Sequence, residues 1–329
     1  MASNKNKIQL AMLKNTPIIL FCIIFIVFGI LSPRFFTYKN FENIACNASY
    51  IGVVAVGMTF VLLTGGIDLS VGANMYLSGV IAGVLINNYK MPVWIALLAA
   101  LMVGILFGMF NAFAIIKLKI LPFVVTLSTL VAGRGLTLCI TKSKAINFPQ
   151  SVTSIGSVKV LGIPLPVVIF SFVIFVAYVF LTKTTLGRQI YAVGNDLEAA
   201  NKSGINSNKI LATVYIVSGL FAALGGIISI SQLGVINAGF GQGEEFNAIA
   251  AAVLGGTSLF GGIGSVFPGT VIGTVLIQMI QAGLVFVQVD IYIQPLVSAA
   301  IIFFAVFLDS ARSSQILKLE HRNIRTENQ

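Results

Sequence analysis

The sequence predicts an all-α polytopic membrane protein of about ten transmembrane helices, and three observations carry that reading. Hydrophobic residues make up 57% of the 329 residues and charged residues only 9%, against about 25% charged in ordinary soluble domains. No water-soluble core is large enough to hide so apolar a chain. The apolar residues also fall in runs of about 20, the length at which a helix crosses a bilayer with its backbone hydrogen bonds satisfied internally. Nearly all of the 20 Lys and Arg lie in the stretches between those runs.

The first span is expected over 17–32, after a cytoplasmic arm at 1–16 that holds Lys5, Lys7 and Lys14. That basic start imitates a signal peptide, but no small-residue cleavage site follows. Further spans are expected over 46–63, 69–87, 93–116, 121–141, 164–182, 209–231, 247–262, 266–287 and 292–309. Residues 17–309 then form one transmembrane domain, followed by a cytoplasmic tail at 310–329. With the N-terminus inside, cytoplasmic pieces hold 13 Lys and Arg and external loops six. This bias places both termini in the cytoplasm, although Lys142, Lys144 and Lys159 share one external loop. The net charge of +10 therefore reports topology, and no nucleic-acid partner is expected.

The spans are interrupted. Gly65-Gly66 and Gly255-Gly256 are read as breaks, because non-helical backbone at membrane depth survives only against protein or a water-filled cavity. Gly79/Gly83, Gly104/Gly108 and Gly269/Gly273 have the spacing of close helix packing. Shifted by 190 residues, Gly65, Gly66, Gly72, Gly79 and Gly83 fall on Gly255, Gly256, Gly262, Gly269 and Gly273. Internal repeats are a habit of transport folds. Thr64, Gly65, Gly66, Gly255, Gly256 and Thr257 are thus candidates to line one pathway.

Several chemistries are excluded. There is no Gly-x-x-x-x-Gly-Lys-Ser/Thr loop for ATP. The single histidine, His321, lies in the charged tail, and Cys22, Cys46 and Cys139 lack metal-like spacing. No catalytic residue and no metal site is expected. Charged groups inside the apolar runs are few. Asp68 and Ser70 either cap the next helix or face the pathway. Arg134 stands 12 residues past Pro122, about 18 Å along a helix, and either snorkels to the outer headgroups or faces a cavity. Outside, Glu244 and Glu245 follow a Gly-x-Gly-x-Gly run. They either meet a basic patch on a soluble partner or are solvated or cap the next helix. Between two apolar runs, the polar segment 187–206 suits docking into a partner's groove.

Four motifs occur in order: Leu63-Thr-Gly-Gly-Ile-Asp-Leu-Ser-Val-Gly72; Leu121-Pro-Phe-Val-Val-Thr-Leu-Ser-Thr129 with Arg134-Gly135; the 187–204 segment with Glu198-Ala-Ala200 and Gly204; and Leu254-Gly-Gly-Thr-Ser-Leu-Phe-Gly-Gly-Ile-Gly264. Over about 35–309 the chain resembles the permease subunits of ribose-type sugar ABC importers. That resemblance implies a multi-pass protein of the bacterial inner membrane, paired with a second permease copy or homologue. An ATPase subunit with two nucleotide-binding domains, carrying the ATP and Mg, would dock below, and an extracytoplasmic sugar-binding protein above. The permease itself would hold no cofactor. The coupling contact would involve Gly187, Arg188, Gly194, Asn195, Glu198, Ala199, Ala200 and Gly204. An ion-coupled secondary sugar transporter is the alternative.

Overall fold

The computed structural model describes residues 16–301, 303 and 307; most of the N-terminal arm and the tail lie outside the described residues. Two compact units are present, one of Glu42–Val275 and one joining the residues up to Phe41 to those from Leu276. In the smaller unit, helix α1 (Thr16–Leu31) is followed by a 3-10 turn at Pro33–Phe36. Phe25, Phe28, Phe35 and Phe36 pack ring against ring, and Phe286 meets Phe35 edge-on.

The larger unit is organised by α2 (Tyr38–Leu63), α3 (Val71–Asn87), α4 (Val93–Lys117), α5 (Pro122–Thr141), α7 (Leu165–Lys183) and α10 (Ser207–Leu233). The short helix α6 (Gln150–Ser157) lies between α5 and α7. Apolar side chains on α4 and α7, among them Leu106, Phe110, Phe172 and Phe175, are exposed, as lipid-facing residues are. In lipid, small residues let backbones approach closely, and α4 crosses α10 in that way. A Cβ on Gly104 would stand 2.5 Å from Gly219 O, and one on Gly108 would stand 2.9 Å from Ile216 Cα. The buried helix α3 is enclosed by α4, α5 and α10.

Two short antiparallel pairings close one end of this unit, Ile146–Asn147 with Val235–Ile236 and Lys159–Val160 with Ile163–Pro164. The opposite end holds α8 (Thr185–Asn195), α9 (Leu197–Lys202) and the turns 64–66 and 258–264.

Among the described residues six helices are long and apolar enough to cross a membrane, against ten segments expected over the whole chain. The clearest difference concerns the span expected at 247–262. Its helix, α11 (Glu244–Leu254), has 11 residues, about 17 Å at 1.5 Å per residue, against a hydrocarbon core of about 30 Å. A half-helix replaces a span because Gly255 and Gly256 stop it, Gly256 with a left-handed φ of +89°. The chain then runs through a kink at Val266–Thr270, where Phe267 is extended, into α12 (Val271–Phe286). The other break is made the same way: α2 stops at Leu63, Gly65 takes a φ of +74°, and α3 begins after Ser70.

Candidate functional site

Three glycine-bearing turns from distant parts of the sequence meet backbone to backbone. Gly262 N–H donates to Leu63 O at 3.0 Å. A Cβ on Gly194 would overlap Leu63 O and stand 2.7 Å from Gly262 N, and one on Gly261 would stand 2.6 Å from Gly194 O. Tyr191 on α8 donates its hydroxyl to Gly264 O at 3.0 Å, and burial pushes this phenol above its ordinary pKa. The end of α8 is thus wedged between the two breaks. Only glycine fits at Gly194 and Gly261, because the nearest neighbours of both are main chain.

Local capping sets the α8 and α9 helices. Thr184 Oγ1 accepts from Gly187 N–H at 3.0 Å, and Asp196 Oδ1 accepts from Glu198 and Ala199 N–H at 2.9 Å each. A side chain on Gly187 would strike Leu181 O, which keeps the α7–α8 corner tight. Arg188, Asn195, Glu198 and Ala199 are exposed, as is Gly204, which ends the segment at a φ of +83°. Glu198 pairs with Lys202 at 2.8 Å across one turn. The expectation that Ala200 faces a partner is revised: it is buried among Ile190, Val193 and Ile210, so the surface of α9 is carried by its other residues.

Beside the first break lies a buried polar network. Asp68 Oδ1 accepts from Ser70 N–H at 3.0 Å and Ser70 Oγ at 2.6 Å, and Asp68 Oδ2 accepts from Ser218 Oγ at 2.7 Å. Ser70 Oγ in turn accepts from Asn111 Nδ2 at 2.8 Å. Asn74 donates to Gly219 O at 3.0 Å and accepts from Ser78 at 2.9 Å. Asp68 therefore secures its own turn and also ties that turn to α10, a role distinct from both readings, capping and pathway lining, that the sequence left open. Asn111, Ser218 and Asn74 are functional candidates that sequence reasoning missed. Their only signal was polarity inside an apolar run.

The two glycine-rich stretches of the echo do not share one lining. Thr64, Gly65 and Gly66 open onto a cleft of about 380 Å³ with Lys119, Pro122 and Leu197. Thr257 is buried, with Oγ1 unpartnered, and Gly255 is pressed against Gly269. Thr257 therefore lines no surface of this chain.

Glu244 and Glu245 are not where a soluble partner would reach them. The segment 234–245 re-enters along α3: Ile146 and Phe148 of the outer pairing lie at Gly83, Ile236 at Gly79, and Gly241 with Glu245 at Gly72. From Gly83 to Gly72 the descent is about 16 Å. Glu245 is 5% exposed, and Glu244 accepts from Tyr50 Oη and Asn247 Nδ2 at 3.1 Å each. The glycine run turns the chain inward, which removes both carboxylates from the outer surface as docking residues. Arg134 does not snorkel outward either; its Nη1 donates to Phe240 O at 3.4 Å.

Broken spans, a polar interior and a surface helix pair in backbone contact with both breaks define a multi-pass membrane permease. The chain belongs to the family described as branched-chain amino acid transport system / permease component, which matches residues 40–306. It is 39% identical over 293 residues to the ribose import permease protein RbsC of Haemophilus influenzae, covering 88% of this chain and 90% of that protein. The Escherichia coli K12 ribose import permease protein is 37% identical over 306 residues, 92% of this chain and 95% of that one. The D-allose transport system permease protein AlsC of the same organism is 36% identical over 312 residues, 94% and 95%. No solved structure matches. The chain is a protein of the cytoplasmic membrane.

Proposed function

We propose that this chain is the membrane-spanning permease of an ATP-driven importer that passes a monosaccharide into the cytoplasm. The family description mentions amino acids, but the relatives that cover about nine-tenths of the chain are sugar permeases, and they carry the choice. The contact of Gly194 with Leu63 and Gly262 is the observation that supports the mechanism. An ATPase subunit with two nucleotide-binding domains, holding ATP and Mg, seats the exposed face of 187–206. Displacement of α8 moves both breaks together, because main chain pressed on main chain has no slack. Pathway opening follows from that coupled shift. An extracytoplasmic sugar-binding protein delivers the substrate, and a second permease copy or homologue completes the pathway. Both termini lie in the cytoplasm, the ten helical segments cross or re-enter the bilayer, and the chain itself performs no catalysis.

The test is uptake of labelled D-ribose and D-allose by cells carrying the intact import system. Uptake is expected to stop on ATP depletion and to survive collapse of the proton and Na⁺ gradients. Accumulation by the purified chain alone on an ion gradient would establish the secondary transporter instead.

A further inference from the structure

Two ionisable side chains at the floor of the re-entrant segment each hold a buried atom with no partner, Arg134 Nη2 and Glu245 Oε2. Glu245 lies against the first turn of α3. A Cβ on Gly72 would overlap Gly241 O and stand 2.5 Å from Glu245 Oε2, and Arg134 donates to the carbonyl of Phe240, the residue next to Gly241. They are not within ion-pair distance of each other, so neither satisfies the other. An ionisable group at this depth needs water, a partner or a ligand, and a buried unpaired polar atom is expensive to leave so. We propose that Arg134 and Glu245 form a sugar subsite within the membrane, in which one substrate hydroxyl accepts from Arg134 Nη2 and a hydroxyl donates to Glu245 Oε2.

The chemistry favours a neutral polyhydroxylated ligand. The two opposite charges cancel, and each side chain offers one free atom, a donor and an acceptor, which is what hydroxyl groups match. The half-helix α11, starting at Glu244 beside the site, has the geometry by which broken helices build midplane binding sites. This subsite rests on the monosaccharide reading above and gives the permease its own contact with the substrate.

Saturation-transfer NMR on the full-length chain in lipid nanodiscs, with D-ribose and D-allose as probes and L-leucine as competitor, tests it. Transfer to a sugar is expected, undiminished by L-leucine. In Glu245→Gln and Arg134→Lys the apparent affinity should fall about tenfold, as for a lost hydrogen bond to a charged group. The wild-type measurement stands even if a variant fails to insert. Absence of transfer to either sugar, while the intact system still imports one, would mean that the two atoms hold water alone; it would overturn the subsite and leave the permease reading intact. Transfer to L-leucine in place of the sugars would overturn both.

Discussion

Replacing Ser218 by Ala tests how firmly the first break is held to α10. The substitution removes one hydroxyl from a helix and leaves the backbone unchanged. It strips Asp68 Oδ2 of the donor that the structure places at 2.7 Å, at a site where both residues are 1% exposed. Hydrogen bonds between membrane helices are weak on average, about 0.6 kcal/mol with a maximum near 1.7. Bonds to a charged acceptor are worth about 1.5–3 kcal/mol, and removing the donor leaves a buried oxygen bare. The buried acceptor decides the magnitude here. Ser218→Ala should destabilise by about 2 kcal/mol, roughly a thirtyfold shift in the unfolding equilibrium. The assay is SDS titration of the purified chain in mixed micelles, completed as a double-mutant cycle with Asp68→Ala. Ser231→Ala serves as control: that hydroxyl is also buried but donates only to Ile228 O in its own helix, so its loss should stay within about 0.5 kcal/mol, as for an ordinary substitution. A coupling energy of about 0.6 kcal/mol or less would show that Asp68 does not tie the break to α10.

Gly194→Ala forces a methyl group into Leu63 O and Gly262 N, so it should cost about 1–3 kcal/mol of local packing. The chain should still bind its ATPase but uncouple hydrolysis from transport, a split visible when ATPase activity and sugar uptake are measured together. Glu198→Lys combined with Gly204→Pro should abolish co-purification of the ATPase, because both changes fall on the exposed face of 187–206; normal recovery would place the docking contact elsewhere. Tyr191→Phe removes the donor to Gly264 O and should lower stability by about 1 kcal/mol, read by the same SDS titration. With Cys22, Cys46 and Cys139 replaced by Ala, Thr64→Cys on the cleft should react quickly with a water-soluble thiol reagent. Thr257→Cys, buried here, should react slowly until the partner ATPase is trapped with ATP. Equal rates at the two positions would contradict the packing described for them.

Composition and the length of the apolar runs determined the class of the protein, because a bilayer admits helices of one approximate length and no other backbone solution for such a chain. Helix boundaries at 71–87, 93–117 and 122–141 lie within two residues of those expected, since Pro122, the loop lysines and the double glycines punctuate the sequence strongly. Asp68 and Arg134 were legible as sites for a simple reason: charge inside an apolar run is costly. What could not be read was depth. Glu244 and Glu245 follow a polar loop that looks external, and only the path of 234–245 along α3 carries them inward. Ser218 became a partner of Asp68 across 150 residues, and Gly194 became a wedge between two breaks, through contacts that no local pattern encodes. Periodicity specifies which face of a helix is apolar; which other helix that face meets is decided by packing the whole chain at once. For glycines that touch only main chain, the sequence holds no complementary side chain from which the contact could be foreseen.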